Sequence, residues 1–346
     1  MNRIATHLVS ITLLAAIASL SGCGTPAGAL LQPAAEAPRW PLAPEPTRLR
    51  YLGELSTDQD LKPAKSFFEN VGEGLFGKDA PLAMISPLSV CTDAGSRVFV
   101  ADTNAQRVHV FDLTTRKYTT WAPPGGFSMP VAVAFDPGGR VLVSDSVGGV
   151  IDVFDAKGAF VGTLGEGELK RPGGLCVAPD GRVFVADIIA HQVLVFSPGG
   201  GVAQRVGIRG SALGEFNYPT NVALDSQGRL FVSDSLNFRV QVFTPELLPL
   251  RQIGKQGDVP GTFAQPKGIA IDPDDHLWVV DANFEAVQVF DVEGSLLLTF
   301  GREGRGPGEF WLPSGLHFDR EARLWIADSY NQRVQVFQYV REGVQP

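Results

Sequence analysis

The chain has 346 residues and a formal net charge of −8, with Lys and Arg scattered among more numerous acids, a balance that argues against a phosphate-backbone binder. An apolar content of 44% is enough for a globular core. Gly 39 and Pro 25 point to many short strands joined by turns.

The chain opens with a targeting pattern over residues 1–22. Arg3 gives a positive start, and the apolar run from Leu8 to Leu20 is too short for an ordinary transmembrane helix. Leu20-Ser21-Gly22-Cys23 resembles the lipobox of bacterial lipoproteins, which implies lipidation of Cys23. By the same resemblance, Gly24 after the cysteine favours the outer membrane as destination. Residues 23–47 are rich in Pro and Ala (Pro26, Pro33, Pro38, Pro41, Pro44 and Pro46) and read as a stiff, unfolded spacer between lipid and domain. The domain then occupies 48–346.

From there one ten-residue pattern appears six times, an aspartate followed nine residues later by a phenylalanine. The pairs are Asp102/Phe111, Asp145/Phe154, Asp187/Phe196, Asp234/Phe243, Asp281/Phe290 and Asp328/Phe337, and successive aspartates lie 43, 42, 47, 47 and 47 apart. A fixed period of this size signals a repeat architecture. The unit shows in Pro219–Asp225, a Gly228 turn, Leu230–Asp234 and Val240–Phe243, pieces of four to seven residues rich in Val, Phe and Leu between turn residues. With a fourth strand such as Ala159–Leu164, the sequence predicts an all-β fold: a six-bladed β-propeller with four antiparallel strands per blade. The last unit ends near Phe337 without a fourth strand. Leu49–Glu54, upstream of the first unit, resembles an outer strand, so it is expected to close blade six. The long connection from Ser56 to Ser86 carries Ser66–Phe76, which could cover the pore mouth or pack on the rim.

The segments Gly254–Asp272 and Gly301–Asp319, with their G-x-x-G, G-T-F/G-E-F and Pro-opened strands, resemble the NHL-repeat family, and Gly207–Asp225 also fits. The resemblance covers about residues 81–340; blades one to three lack the G-E-F type loop, and Asp145 and Asp187 lack the arginine five residues on. It implies the propeller fold but no single activity, since the family includes scaffolds, ligand binders and a few enzymes. The family's amidating lyase uses a His-ligated zinc, but His109, His191, His276 and His317 fall at four different heights and cannot form an equivalent set. A similar propeller, the calcium-dependent lactonase class, uses acidic and Asn ligands at inner-strand ends, and no Glu stands at those openings here. No cofactor is expected, and no G-x-S-x-G, P-loop or HExxH motif is present.

One aspartate per blade at one register indicates a scaffold role, with the carboxylate accepting loop N–H groups. Arg107, Arg239 and Arg333, five residues after their aspartates, are placed to pair with them. Cys91, Cys176 and His317 share one register of the inner strand, where the other three blades carry alanine. A soft metal could use such ligands, but a crowded position that accepts small side chains explains them better.

The rim formed by the loops before each inner strand and after each aspartate carries the candidate binding residues. Its rings are Tyr218, Phe238, Phe284, Trp311 and Tyr330. Polar groups among them are Thr220, Asn221, Asn237, Lys267, Asn283 and Ser314. Aromatics interleaved with amides suit a binding surface; the competing reading folds the rings back over the blade tops. The function expected is a non-catalytic, monomeric scaffold, lipid-anchored in the cell envelope, that binds a protein or peptide through this rim. It would touch the membrane through its anchor alone and bind no nucleic acid. The alternatives are a metal-dependent lyase or hydrolase, with Thr220, Asn221 and Lys267 at the pore mouth, and an inert spacer.

Overall fold

The computed structural model describes residues 28–33, 36–42, 44–62 and 80–341. The segment 1–22, Cys23 and the Ser66–Phe76 stretch lie outside the described residues. Six sheets make six blades: five of four strands, and a sixth to which the N-terminal region adds two. Blade four shows the plan, with an inner strand Pro219–Leu224, then Leu230–Asp234, Arg239–Phe243 and an outer strand Pro249–Ile253. Each inner strand begins at a proline paired with its blade's aspartate, as in Pro219↔Asp234, a position that tolerates a missing N–H.

Burial follows the strand's place in the blade. The second strands Val141–Asp145 and Val183–Asp187 are buried at every residue, whereas the outer strand Leu296–Phe300 is exposed along most of its length. Because the second and third strands have neighbours on both faces, their Val, Phe and Ile runs are continuous rather than alternating. The core is a ring of clusters between adjacent blades. One of them joins Phe231 and Val242 of blade four to Ile269, Leu277 and Phe290 of blade five. The repeat phenylalanines are the wedges: Phe111, Phe154, Phe196 and Phe337 are fully buried, and Phe243 and Phe290 nearly so.

Blades approach closely at the axis because some inner-strand positions lack a side chain. A Cβ on Gly268 would stand 2.1 Å from the carbonyl oxygen of Ser314 in the next blade, and one on Gly315 2.6 Å from that of Leu88. Hydroxyls then stitch the blades together. The Oγ1 of Thr103 donates to the carbonyl of Pro130, and the Oγ of Ser329 to that of Pro87, both at 2.6 Å.

Leu49–Leu55 pairs antiparallel with Arg333–Tyr339, so the N-terminal strand closes blade six as its register in the sequence suggested. The folded body also reaches into the segment expected to be a spacer. Arg39–Trp40 pairs with Leu49–Arg50, and the Trp40 ring sits 5.6 Å from Phe300 and 5.7 Å from Phe337. A tryptophan buries too much apolar area to remain in a solvated linker.

Candidate binding rim

The repeat aspartates build the rim loops. In blades one, two, three and five the carboxylate accepts two successive backbone N–H groups of the loop before the inner strand. The donors are Ile85 and Ser86 to Asp102, Ser128 and Met129 to Asp145, Lys170 and Arg171 to Asp187, and Ala264 and Gln265 to Asp281. The residue four after each aspartate (Gln106, Gly149, His191, Phe238, Glu285, Gln332) is left-handed in all six blades, a shared turn of the scaffold.

Blades four and six depart from this plan. Asp234 and Asp328 accept only the first loop N–H, from Asn217 and Trp311. Their Oδ2 atoms are occupied instead by side chains: Asn237, Arg239 and Gln241 in blade four, Asn331, Arg333 and Gln335 in blade six. The second loop N–H turns to the preceding blade, that of Tyr218 to His191 Nδ1 at 3.2 Å and that of Leu312 to Glu285 Oε2 at 2.5 Å. Tyr218 and Leu312 adopt left-handed φ angles of 57° and 48°, a conformation that costs a non-glycine residue about 1–3 kcal/mol and concentrates at functional sites.

These turns present aromatic rings to solvent. Tyr218 is 39% exposed with its ring edge-on to His191, and Trp311 is 37% exposed between Tyr330 at 5.5 Å and the Arg305 guanidinium at 5.5 Å. Tyr330 is more exposed than either, at 58%. Asn283 is exposed, and Phe284 is half-buried beside it. Other rim residues are engaged in the scaffold. Thr220 Oγ1 meets Ser235 Oγ, Ser314 Oγ donates to the Leu88 carbonyl, Asn237 Nδ2 donates to the Gly210 carbonyl and to Asp234, and Phe238 packs against the core between blades four and five. Asn221 lines the axial channel. Lys267, the second residue of the inner strand Pro266–Ile271, lies half-buried; burial lowers its pKa, opposed by the charge of Glu285, whose own pKa burial raises.

Of the arginines placed to pair with repeat aspartates, Arg239 and Arg333 do so at 2.9 and 2.8 Å. Arg107 does not: its Nε donates to the Ala105 carbonyl, and His109 Nε2 takes the seat on Asp102 at 3.1 Å. The residue two positions further along the strand faces the same side of the sheet, so an imidazole there reaches the carboxylate first.

Cys91, Cys176 and His317 all line the axial channel, a space of about 260 Å³. Burial pushes the Cys176 thiol up to about 12, raises that of Cys91 further, and pushes His317 down to about 4. His317 Nε2 is hydrogen-bonded to Thr92 Oγ1 at 2.9 Å. Among the described residues no group of three or more His, Cys, Asp or Glu side chains could hold a metal ion. Neutral thiols, a hydrogen-bonded imidazole and the Asn221 amide do not form a calcium or zinc donor set.

A family model described as "SMP-30/Gluconolactonase/LRE-like region" matches residues 86–300, and an NHL-repeat model matches 310–337. No curated protein matches the sequence. Among solved structures, a gluconolactonase from Xanthomonas campestris aligns with TM-score 0.62 at 18% identity, covering 91% of this chain and 99% of its own. Virginiamycin B lyase from Staphylococcus aureus gives TM-score 0.56 at 16% identity, covering 74% and 95%. The calcium-binding protein regucalcin from Agrobacterium tumefaciens gives 0.55 at 17%, covering 74% and 90%. At these identities the likeness establishes the fold alone.

Proposed function

The chain belongs to the SMP-30/gluconolactonase/LRE-like family, and on that premise we propose that it is a non-catalytic propeller. It holds a protein or peptide through the aromatic rim of blades four to six, tethered in the bacterial cell envelope by a lipid on Cys23. The observation that carries this reading is the outward set of rings on strained loops: Tyr218 is itself left-handed, and Trp311 precedes left-handed Leu312. Rigid aromatic side chains supply contact area at low entropic cost, and Trp and Tyr dominate binding hot spots. Pull-downs from envelope extract with wild type and a Tyr218→Ala/Phe284→Ala/Trp311→Ala variant test it. The expected outcome is loss of specific partners with an unchanged circular-dichroism spectrum; recovery of the same partners by the variant would remove the rim from the account.

A second reading is favoured by the family match, whose description includes gluconolactonase, and by Lys267. A half-buried lysine with a lowered pKa can act as base or nucleophile. On this reading the pore mouth is a lyase or hydrolase site acting on a lactone or a hydroxyglycine peptide, with Lys267, Asn221 and Thr220 as its polar groups. Calcium and zinc content of the purified protein, with a turnover screen on those substrate classes, separates the two. Stoichiometric metal or turnover abolished by Lys267→Met supports the enzyme; neither is expected of the binding propeller.

A further inference from the structure

A second cavity lies at the end of the propeller opposite the rim, between blades five and six. It measures about 510 Å³, within the range of small-molecule sites. Its origin lies in a break in the repeat. The turn after the inner strand is an aspartate with an arginine four residues on in four blades, and the arginine Nε bonds that aspartate: Arg97–Asp93 and Arg140–Asp136 at 2.6 Å, Arg229–Asp225 at 2.5 Å and Arg323–Asp319 at 2.7 Å. In blades one and six the guanidinium then lies over the ring of the following strand, Arg97 over Phe99 at 5.3 Å and Arg323 over Trp325 at 5.5 Å.

Blade five has His276 in this place. Its Nδ1 keeps the bond to Asp272 at 3.0 Å, so the scaffold contact survives. Trp278 Nε1 donates to the same carboxylate oxygen at 2.8 Å, as Trp325 Nε1 does to Asp319 in blade six. What is missing is the guanidinium arm, and the cavity opens beside that place.

The chemistry around the cavity is directional. Both of its carboxylates are engaged: Asp272 by His276 and Trp278, and Asp274 by the Tyr339 hydroxyl at 3.0 Å and Arg341 at 3.3 Å. His276 Nε2 has no hydrogen-bond partner among the described residues, and its side chain is 31% exposed. Arg48 adds a positive group to the lining. The remaining wall is apolar, from Val289, half-exposed Leu297 and Leu298.

We propose that this cavity binds a small amphiphilic carboxylate, its head on His276 Nε2 beside Arg48 and its hydrocarbon body on Val289, Leu297 and Leu298. The site is independent of the rim and of any partner there. The bond to Asp272 raises the His276 pKa, supported by the charges of Asp272 and Asp274 and opposed by burial and by Arg48. That rise favours the protonated imidazole, whose Nε2–H donates, because Nδ1 is held by Asp272; deprotonation turns Nε2 into an acceptor, so affinity falls as pH rises through the transition.

The test is titration of the full-length protein with octanoate and 3-phenylpropanoate, followed by calorimetry and by the imidazole proton resonance that is absent from a His276→Arg variant. Restoring the arginine keeps the repeat's ion pair while filling the cavity. The expected result is a saturable shift of that resonance, at least tenfold weaker binding in H276R and in Leu297→Asp, at least tenfold weaker binding of octanamide, and unchanged melting of both variants. No saturable response to either acid, equal binding of octylamine, or full affinity in H276R overturns the proposal. A variant that melts early is replaced by the other, because Leu297 lies at the surface and its substitution leaves the ion pair intact.

Discussion

Asp152 gives the sharpest stability prediction. It occupies the position seven residues after the repeat aspartate, where His109, Gln241 and Gln335 each donate to the carboxylate of their own blade at 3.1 Å. In blade two the side chain there is itself a carboxylate, only 4% exposed, and it takes no hydrogen bond from the described residues. Asp145 already holds the N–H groups of Ser128, Met129 and Gly148. Burial, and then the charge of Asp145, push Asp152 up to about 6 from an ordinary 3.8. At about 1.4 kcal/mol per pH step, that displacement corresponds to about 3 kcal/mol. The sign follows from linkage: the folded state binds this proton more tightly than the unfolded chain. The contribution of this group to stability is therefore greatest below pH 3.8 and is lost as pH rises through about 6. Asp152→Asn removes the charge at nearly constant shape. In urea unfolding followed by tryptophan fluorescence, the variant should exceed wild type by about 1.5–3 kcal/mol at pH 7.5 and by less than about 0.5 kcal/mol at pH 4. An equal effect at both pH values, or a destabilised variant at pH 7.5, would refute the buried-pair reasoning.

Three further outcomes follow from the packing. Gly268→Ala drives a methyl group into the Ser314 carbonyl and should cost at least about 1–3 kcal/mol, whereas Gly125→Ala, with nothing within 4 Å, should lie within about 0.5 kcal/mol of wild type by thermal melting. Arg333→Met removes bonds to Asp328, Glu54 and the Arg305, Gly306 and Glu309 carbonyls and should cost about 3–5 kcal/mol. Arg107→Met, at the same repeat position but bonded among the described residues only to the Ala105 carbonyl, should cost under about 1 kcal/mol in the same urea assay. Deletion of Leu49–Leu55 exposes the edge of Arg333–Tyr339 and should abolish the cooperative melt rather than shift it slightly.

The fold was legible because it is periodic. Asp-x8-Phe marks the second strand's end and the buried wedge in every blade, and the missing fourth strand of the last unit required a donor upstream. Trp40 was not legible as a fold residue, because the prolines around it mask a two-residue strand whose partner is set by tertiary contact. The rim was legible in composition but not in geometry. Thr220 and Ser314 are the residue types of a polar site, yet their hydroxyls bond other groups of the protein. The signal for the unusual loops was present as N-x-R-x-Q after Asp234 and Asp328, the two blades where three side-chain donors fill one carboxylate oxygen and one loop N–H goes elsewhere. Reading it needed knowledge of which oxygen each donor reaches. The cavity beside His276 was legible in part, since the six copies disagree there. What a histidine leaves open in place of an arginine depends on the walls around it.

The central claim is that the aromatic rim of blades four to six is the face that meets a partner. A photo-crosslinking residue at Tyr330, on the rim, and another at Val161, on an exposed outer strand of blade two, test it in intact cells. The account predicts a discrete crosslinked species from position 330 that the Tyr218→Ala/Trp311→Ala background abolishes, and none from position 161. Equal crosslinking from both positions, or none from position 330, contradicts it.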